Sequence, residues 1–92
     1  MNQPKLETKT EMKVGEMITI EDRKLIPIEK LLYSANTEPA NLYWFGVVEP
    51  QAILVVDSTG EYLVSLSKEI TSFQEAIAKT PGLTEAIEVA RT

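Results

Sequence analysis

The chain has 92 residues, neither histidine nor cysteine, and a formal net charge of −5 at pH 7. This length supports one domain, near the size at which a single hydrophobic core is only marginally sufficient. Without histidine and cysteine, the usual proton shuttle at neutral pH, a thiolate nucleophile and the main zinc ligands are all excluded.

The charge and hydropathy pattern also restricts the partners. An acidic chain without a basic stripe repels phosphates, so nucleic acid is not an expected partner. No stretch approaches the roughly 18 apolar residues of a membrane-spanning helix, and no hydrophobic signal segment opens the chain. We therefore expect a cytoplasmic protein that does not insert into membranes, and the absence of cysteine agrees with that location.

The first 13 residues alternate between charged and uncharged side chains. Lysine and glutamate occupy the odd positions from 5 to 13, and Leu6, Thr8, Thr10 and Met12 lie between them. This period of two is typical of an extended segment with one charged face. Two alternatives fit residues 1–13: a solvated N-terminal tail, or an edge strand whose charges oppose aggregation. The domain itself is expected to span residues 14–92.

The next 20 residues predict a β-hairpin. Residues 14–20 form a strand in which Val14, Ile18 and Ile20 share one face, and residues 21–23 form the turn. Residues 24–33 are the return strand. Pro27 lies inside it and cannot donate a ladder hydrogen bond, which predicts an edge position or a bulge there.

The predicted central strand spans residues 46–56 and follows a polar loop over residues 34–41. Residues 52–56 are apolar without interruption, which indicates a strand covered on both faces. Pro50 predicts a bulge or a break in this strand. Turn residues 57–60 and the alternating residues 61–66 then predict its hairpin partner.

The hydrophobic period changes from two to 3.6 near residue 70. The first helical stripe contains Ile70, Phe73, Ala76 and Ile77, with a capping box formed by Ser72 and Glu75. Thr80 and Pro81 are expected to start a second helix, with the stripe Leu83, Ala86, Ile87 and Ala90. Strands first and helices last predict an α+β fold: an antiparallel sheet of about four to five strands followed by one or two C-terminal helices.

Four residues are candidates for interaction: Tyr43, Trp44, Phe45 and Glu49. In a strand, Trp44 points away from Tyr43 and Phe45, so the cluster is either core or a contact patch with one exposed side. Glu49 lies beside the buried strand, where desolvation would favour its neutral form. The alternative is a rim residue that faces solvent.

The chain offers few other chemical groups. Glu21 and Asp22 fit a solvated turn, the acidic residues lack the spacing of a calcium loop, and the serines have no histidine to activate them. The four glycines are scattered and cradle no phosphate. We therefore predict no catalytic residue, no cofactor and no metal site. An enzyme based on carboxylates alone remains the alternative.

Several short segments resemble the GerW-like (YtfJ-like) family of sporulation and spore-germination proteins. The matching residues are 14–18, 25–28, 48–56, Gly60, Leu63, 81–83 and Ile87. The glycine-rich segment that this family places between the two strands is replaced by residues 34–45, which contain no glycine. The resemblance implies a small non-catalytic binding or assembly module and transfers no catalytic residues.

A second resemblance is to bacterial pleckstrin-homology-like domains, through residues 26–28, Phe73 and Pro81. It implies a domain that binds a ligand, a lipid headgroup or a protein, although the negative charge opposes anionic headgroups.

Finally, open sheet edges and small size predict a homo-oligomer, with a dimer as the simplest form. Residues 1–13 are the candidate for strand exchange, and residues 42–45 are the candidate contact surface with a second copy or another protein.

Overall fold

The fold, given by a computed structural model, is an antiparallel five-stranded sheet followed by two helices. The structure describes residues 6–36 and 44–92, with side chains for 8–33 and 46–92. The elements are β1 (Leu6–Val14), β2 (Ile18–Ile20), β3 (Arg23–Asn36), β4 (Trp44–Asp57), β5 (Gly60–Ser65), α1 (Phe73–Lys79) and α2 (Leu83–Arg91). This arrangement confirms the predicted α+β class.

The sheet is a meander in which β1 and β2 act as one interrupted edge strand. Both pair with the same side of β3, and the order continues through β4 to β5 with every pair antiparallel. Of the two alternatives for the N-terminal segment, residues 6–14 therefore form an edge strand. The two long central strands, β3 and β4, carry the rest of the fold.

Pro27 lies in β3, an interior strand, so of the two alternatives predicted for it the edge position is wrong, and a bulge is found instead, in the neighbouring strand. Opposite it, residues 15–17 of the edge strand face only residues 26–27 of β3, which makes a bulge in the neighbouring strand. The backbone N–H of Gly15 donates to the carbonyl of Pro27 at 2.8 Å. The missing N–H of proline is thus placed where regular pairing is already interrupted.

The same bulge reverses the faces of the N-terminal strand. Val14 and Met17 pack against the helix-side core, whereas Ile18 and Ile20 are half exposed on the other face. The expectation that Val14, Ile18 and Ile20 share a face is therefore wrong. One extra residue in a strand moves all following side chains to the opposite face.

Both helices pack on one face of the sheet and enclose the core with it. The predicted stripe of α2 is confirmed, since Leu83, Ile87 and Ala90 are buried, but Phe73 of α1 is 40% exposed. The helix-side core consists of apolar side chains from both layers: Ile26, Ile28, Ala52, Leu54, Val56, Ile70, Ala76, Leu83, Ile87 and Ala90.

The helix ends follow from local chemistry. Ser72 caps α1 by accepting a hydrogen bond from the Glu75 backbone N–H at 3.1 Å, which is one half of the predicted capping box. The Glu75 carboxylate accepts a hydrogen bond from the Thr71 hydroxyl. The helix α2 begins at Leu83 rather than at Pro81, because Gly82 adopts a left-handed conformation with φ of 85°. The predicted start of the second helix is thus two residues too early.

The turns and the second bulge also agree with the sequence. Residues 58–59 connect β4 to β5, and Asp57 accepts hydrogen bonds from the backbone and side chain of Thr59 at 2.8 and 2.6 Å. Pairing between β3 and β4 skips Gln51, which confirms a bulge beside Pro50. The predicted loop is partly wrong, since residues 34–36 belong to β3; the remainder, 37–41, lies outside the described residues.

Candidate interaction surface

The two faces of the sheet have different neighbours. Strand pairing places Ile26 beside Leu54 on the helix side, and Leu25 beside Val55 on the other side. Val55 is 6% exposed yet does not belong to the helix-side core cluster. Its burial comes from adjacent strands rather than from a second layer. The expectation that the central strand is covered on both faces is therefore met on one face only.

We call the face opposite the helices the open face. Its apolar residues come from β2, β3, β4 and β5: Ile18, Ile20, Leu25, Pro27, Leu31, Val48, Pro50, Ile53, Val55, Tyr62 and Val64. The five most exposed large side chains, Ile18, Ile20, Val48, Tyr62 and Val64, each expose between 44% and 53% of their surface. They amount to on the order of 500 Å² of apolar surface, within the range of about 300–600 Å² for the largest apolar patch of a soluble monomer. The largest patch of a monomer is often a binding site.

The charged side chains of the open face balance one another. The described ones comprise three cations, Lys9, Lys13 and Arg23, and three anions, Glu11, Glu29 and Asp57. Lys13 lies 3.8 Å from Glu29, and Arg23 is close enough to Asp57 to favour its charged form. Among the side chains that the structure describes, the charges of the open face thus cancel, although the whole chain carries −5.

Part of the sheet extends beyond the helices, and we call this part the arm. It consists of residues 6–13 of β1, 29–36 of β3 and 44–50 of β4, and every residue from 46 to 50 is exposed. The radius of gyration is 16.5 Å, whereas a compact domain of this length has about 12 Å. The molecule measures 60 × 24 × 18 Å, and its longest dimension runs along this elongated sheet.

Within the described chain, the arm also has an unpaired strand edge. β5 pairs only with residues 52–57 of β4, and the last bond on that side runs from the N–H of Leu66 to the carbonyl of Gln51 at 2.9 Å. Residues 44–50 pair with β3 alone among the residues described. Such an edge is able to accept another strand.

A shallow depression of about 510 Å³ lies where the arm meets the helices. Lys30 and Lys79 line it, but both contact Glu69: the Nζ of Lys30 donates to its carboxylate at 2.6 Å and that of Lys79 to its backbone carbonyl at 2.8 Å. These contacts attach the segment before α1 to the sheet. Both lysines therefore form stabilising contacts within the fold.

The resolved pKa shifts keep each group in its ordinary state at neutral pH. The hydrogen bond to Glu69 raises the pKa of Lys30, and burial with a hydrogen bond to Glu11 raises the pKa of Tyr33. Hydrogen bonds from Thr59 lower the pKa of Asp57, and one from Thr71 lowers the pKa of Glu75. General acid–base catalysis requires shifts toward neutrality, which is the opposite direction.

Three of the four predicted interaction residues, Trp44, Phe45 and Glu49, lie in the arm. Tyr43 is outside the described residues; the backbones of Trp44 and Phe45 begin β4 and pair with Ala35 and Ser34. Glu49 is exposed. It pairs with Lys30 on the helix side, so it is not part of the open face.

The sequence reasoning missed the open face itself. Its signal was present in β4, where residues 53 and 55 are apolar as well as 52, 54 and 56. That pattern demands cover on two sides, whereas the C-terminal helices supply one layer. In β5, the half-exposed Tyr62 and Val64 alternate with Leu63, which packs toward the core.

In the described part of the chain, no helix is long and apolar enough to cross a membrane, and no group of three or more acidic residues is placed to hold a metal ion. Comparison with protein-family models, curated proteins and solved structures found no match.

Proposed function

We propose that this protein is a small non-catalytic binding and assembly module that holds a protein partner on its open face. The observation that carries the proposal is the one-sided helical cover of a sheet whose central strand is apolar on both sides. Leaving such a surface wet forfeits roughly 25 cal/mol for each Å² of apolar area. A partner that covers the open face recovers this free energy.

This function agrees with the resemblance to the GerW-like family, which likewise implies a binding or assembly role. That kinship remains a prediction based on the short segments over residues 14–89. The cytoplasmic location expected from the composition is part of the same proposal.

The pleckstrin-homology-like alternative requires a free basic pocket for an anionic ligand. The depression beside the arm contains Lys30 and Lys79, and Glu69 engages both through hydrogen bonds. The proposal of a protein partner on the open face is therefore better supported than that of a headgroup on the depression.

Site-specific photo-crosslinking in the native host tests the proposed function. A photoreactive phenylalanine analogue replaces Tyr62, an aromatic residue of the open face that is 46% exposed. The matched control carries the analogue at Phe73 of α1, which is 40% exposed on the helical layer. We expect crosslinked protein from position 62 and little from position 73. Equal yields at the two positions, or none at either, would contradict the proposal.

A further inference from the structure

We infer that the partner on the open face is the open face of a second copy of this chain. The two sheets stack face to face in a symmetric dimer, with the helices on the two outer surfaces. This inference rests on the proposed function and names its partner. It also replaces strand exchange by stacking as the mode of association.

The central strand β4 has an apolar pattern that requires cover on both faces. Residues 52–56 of β4 are apolar at every position, which is typical of strands with a layer on each face. The chain's helices supply one layer through Leu83, Ile87 and the other helix-side residues. A second sheet, packed about 10 Å away with its strands within about 30° of parallel, supplies the other.

The apolar area of the open face is also comparable with that of a stable interface. A stable interface of standard size buries about 800 Å² on each partner, and somewhat more than half of that is apolar. The most exposed apolar side chains of the open face supply an amount of that order, and the partly exposed Leu25, Pro27, Leu31 and Ile53 add to it. The open face therefore has the apolar surface that a self-contact needs.

The charges of the open face also allow it to contact a copy of itself. A symmetric dimer places the same patch on both sides of the interface, so the patch must be complementary to itself. The net charge of −5 on each chain opposes association, and a contact surface whose own charges cancel adds no further repulsion at the interface. The open face meets this condition with three cations and three anions among its described residues. Arg23 and Asp57 lie at one end of the strands, whereas Lys13 and Glu29 lie midway along β3, between the apolar pairs of the open face.

The competing mode of self-association is pairing through the unpaired edge of the arm. Val47 and Val48 distinguish the two modes, because they are adjacent in β4, of the same type, and 61% and 48% exposed. Pairing with Leu32 and Leu31 places Val47 on the helix side and Val48 on the open face. An edge contact affects both valines alike, whereas stacking buries Val48 only.

The experiment is sedimentation equilibrium of the purified full chain, as wild type and as single glutamate variants. Stacking predicts a wild-type species of twice the 10.3 kDa chain mass at high micromolar concentration. Val48→Glu and Val64→Glu place an unpaired charge inside the interface and should raise the dimer dissociation constant at least about a hundred-fold. Val47→Glu and, on α2, Val89→Glu should leave it within about threefold. Circular dichroism checks that each variant is folded. If one of the two open-face variants is unfolded, Ile20→Glu replaces it.

Three outcomes overturn the inference. One is a monomeric wild type at high micromolar concentration; the second is equal weakening by Val47→Glu and Val48→Glu; the third is a dimer that none of the open-face variants weakens. If the wild type is monomeric while Tyr62 crosslinks to a protein of another mass, the proposed function stands and the inference fails. If Tyr62 crosslinks to nothing, both fail.

Discussion

The two faces of the β3–β4 hairpin are built from the same residue types but differ in what covers them. On the helix side, Ile26 and Leu54 are fully buried beneath α1 and α2. On the open face, Leu25 and Ile53 remain partly exposed, although they are just as apolar. Side-chain chemistry therefore sets which surfaces require burial, while the chain's own helices meet only half of that requirement. The unmet half locates the interaction surface.

The largest expected change in the free energy of unfolding comes from a substitution in the helix-side core. Leu54→Ala removes buried methyl groups from a closed core and should cost about 3 kcal/mol of the free energy of unfolding. Its counterpart is Val64→Ala on the open face, where the side chain is 44% exposed. That change should cost about 1 kcal/mol or less in dilute solution.

Urea unfolding at several chain concentrations measures both effects. The loss for Val64→Ala should grow with chain concentration, because a dimer contact contributes to stability only when the dimer forms. A loss of about 3 kcal/mol for Val64→Ala in dilute solution would show that the open face is covered within one chain.

The order of the elements was predictable because each follows from a local period. Alternation in the strands, the turn at residues 57–60 and the stripe of Leu83, Ile87 and Ala90 gave the α+β class and the antiparallel sheet. These signals depend on neighbouring residues only. They survive folding because tertiary packing here agrees with them.

The faces were harder to predict, because they depend on single inserted residues. The bulge over residues 15–17 sends Val14 and Ile18 to opposite faces, although their spacing in sequence suggests one face. The open face was missed for a related reason: the apolar run in β4 shows that both sides require cover but not which element supplies it. The predicted contact residues Tyr43, Trp44 and Phe45 stay a prediction.

The next effect concerns the attachment of the helical layer. Gly82 holds a φ of 85° before α2, and a side chain in this left-handed conformation costs roughly 1–2 kcal/mol. Gly82→Ala should lower the free energy of unfolding by that amount, as measured by urea unfolding. Gly82→Asn is the matched control, because asparagine tolerates this conformation and should lose less. Equal losses would assign the effect to something other than backbone strain.

A smaller effect is expected at the start of α1. The Ser72 hydroxyl accepts a hydrogen bond from the Glu75 backbone N–H, and its removal in Ser72→Ala should cost about 1 kcal/mol. Ser72→Asp retains an acceptor at the same position and should keep most of the stability. Thermal unfolding of the three proteins compares them. A loss of the same size in Ser72→Asp would indicate that the cap does not stabilise α1.

The smallest effect is the acid sensitivity contributed by two carboxyl groups, one in each layer. Hydrogen bonds from Thr59 lower the pKa of Asp57, at the end of the open face, below its ordinary 3.8. A hydrogen bond from Thr71 and the contact with Lys79 lower the pKa of Glu75, on α1, below 4.5.

A carboxyl group with a lowered folded-state pKa contributes stability above its unfolded-state pKa, and this contribution disappears as the pH falls through the folded-state value. Stability should therefore fall below about pH 4.5, and Asp57→Asn and Glu75→Gln should each make that fall shallower. Urea midpoints measured between neutral and acid pH test this. A fall as steep in both variants as in wild type would show that other groups cause it.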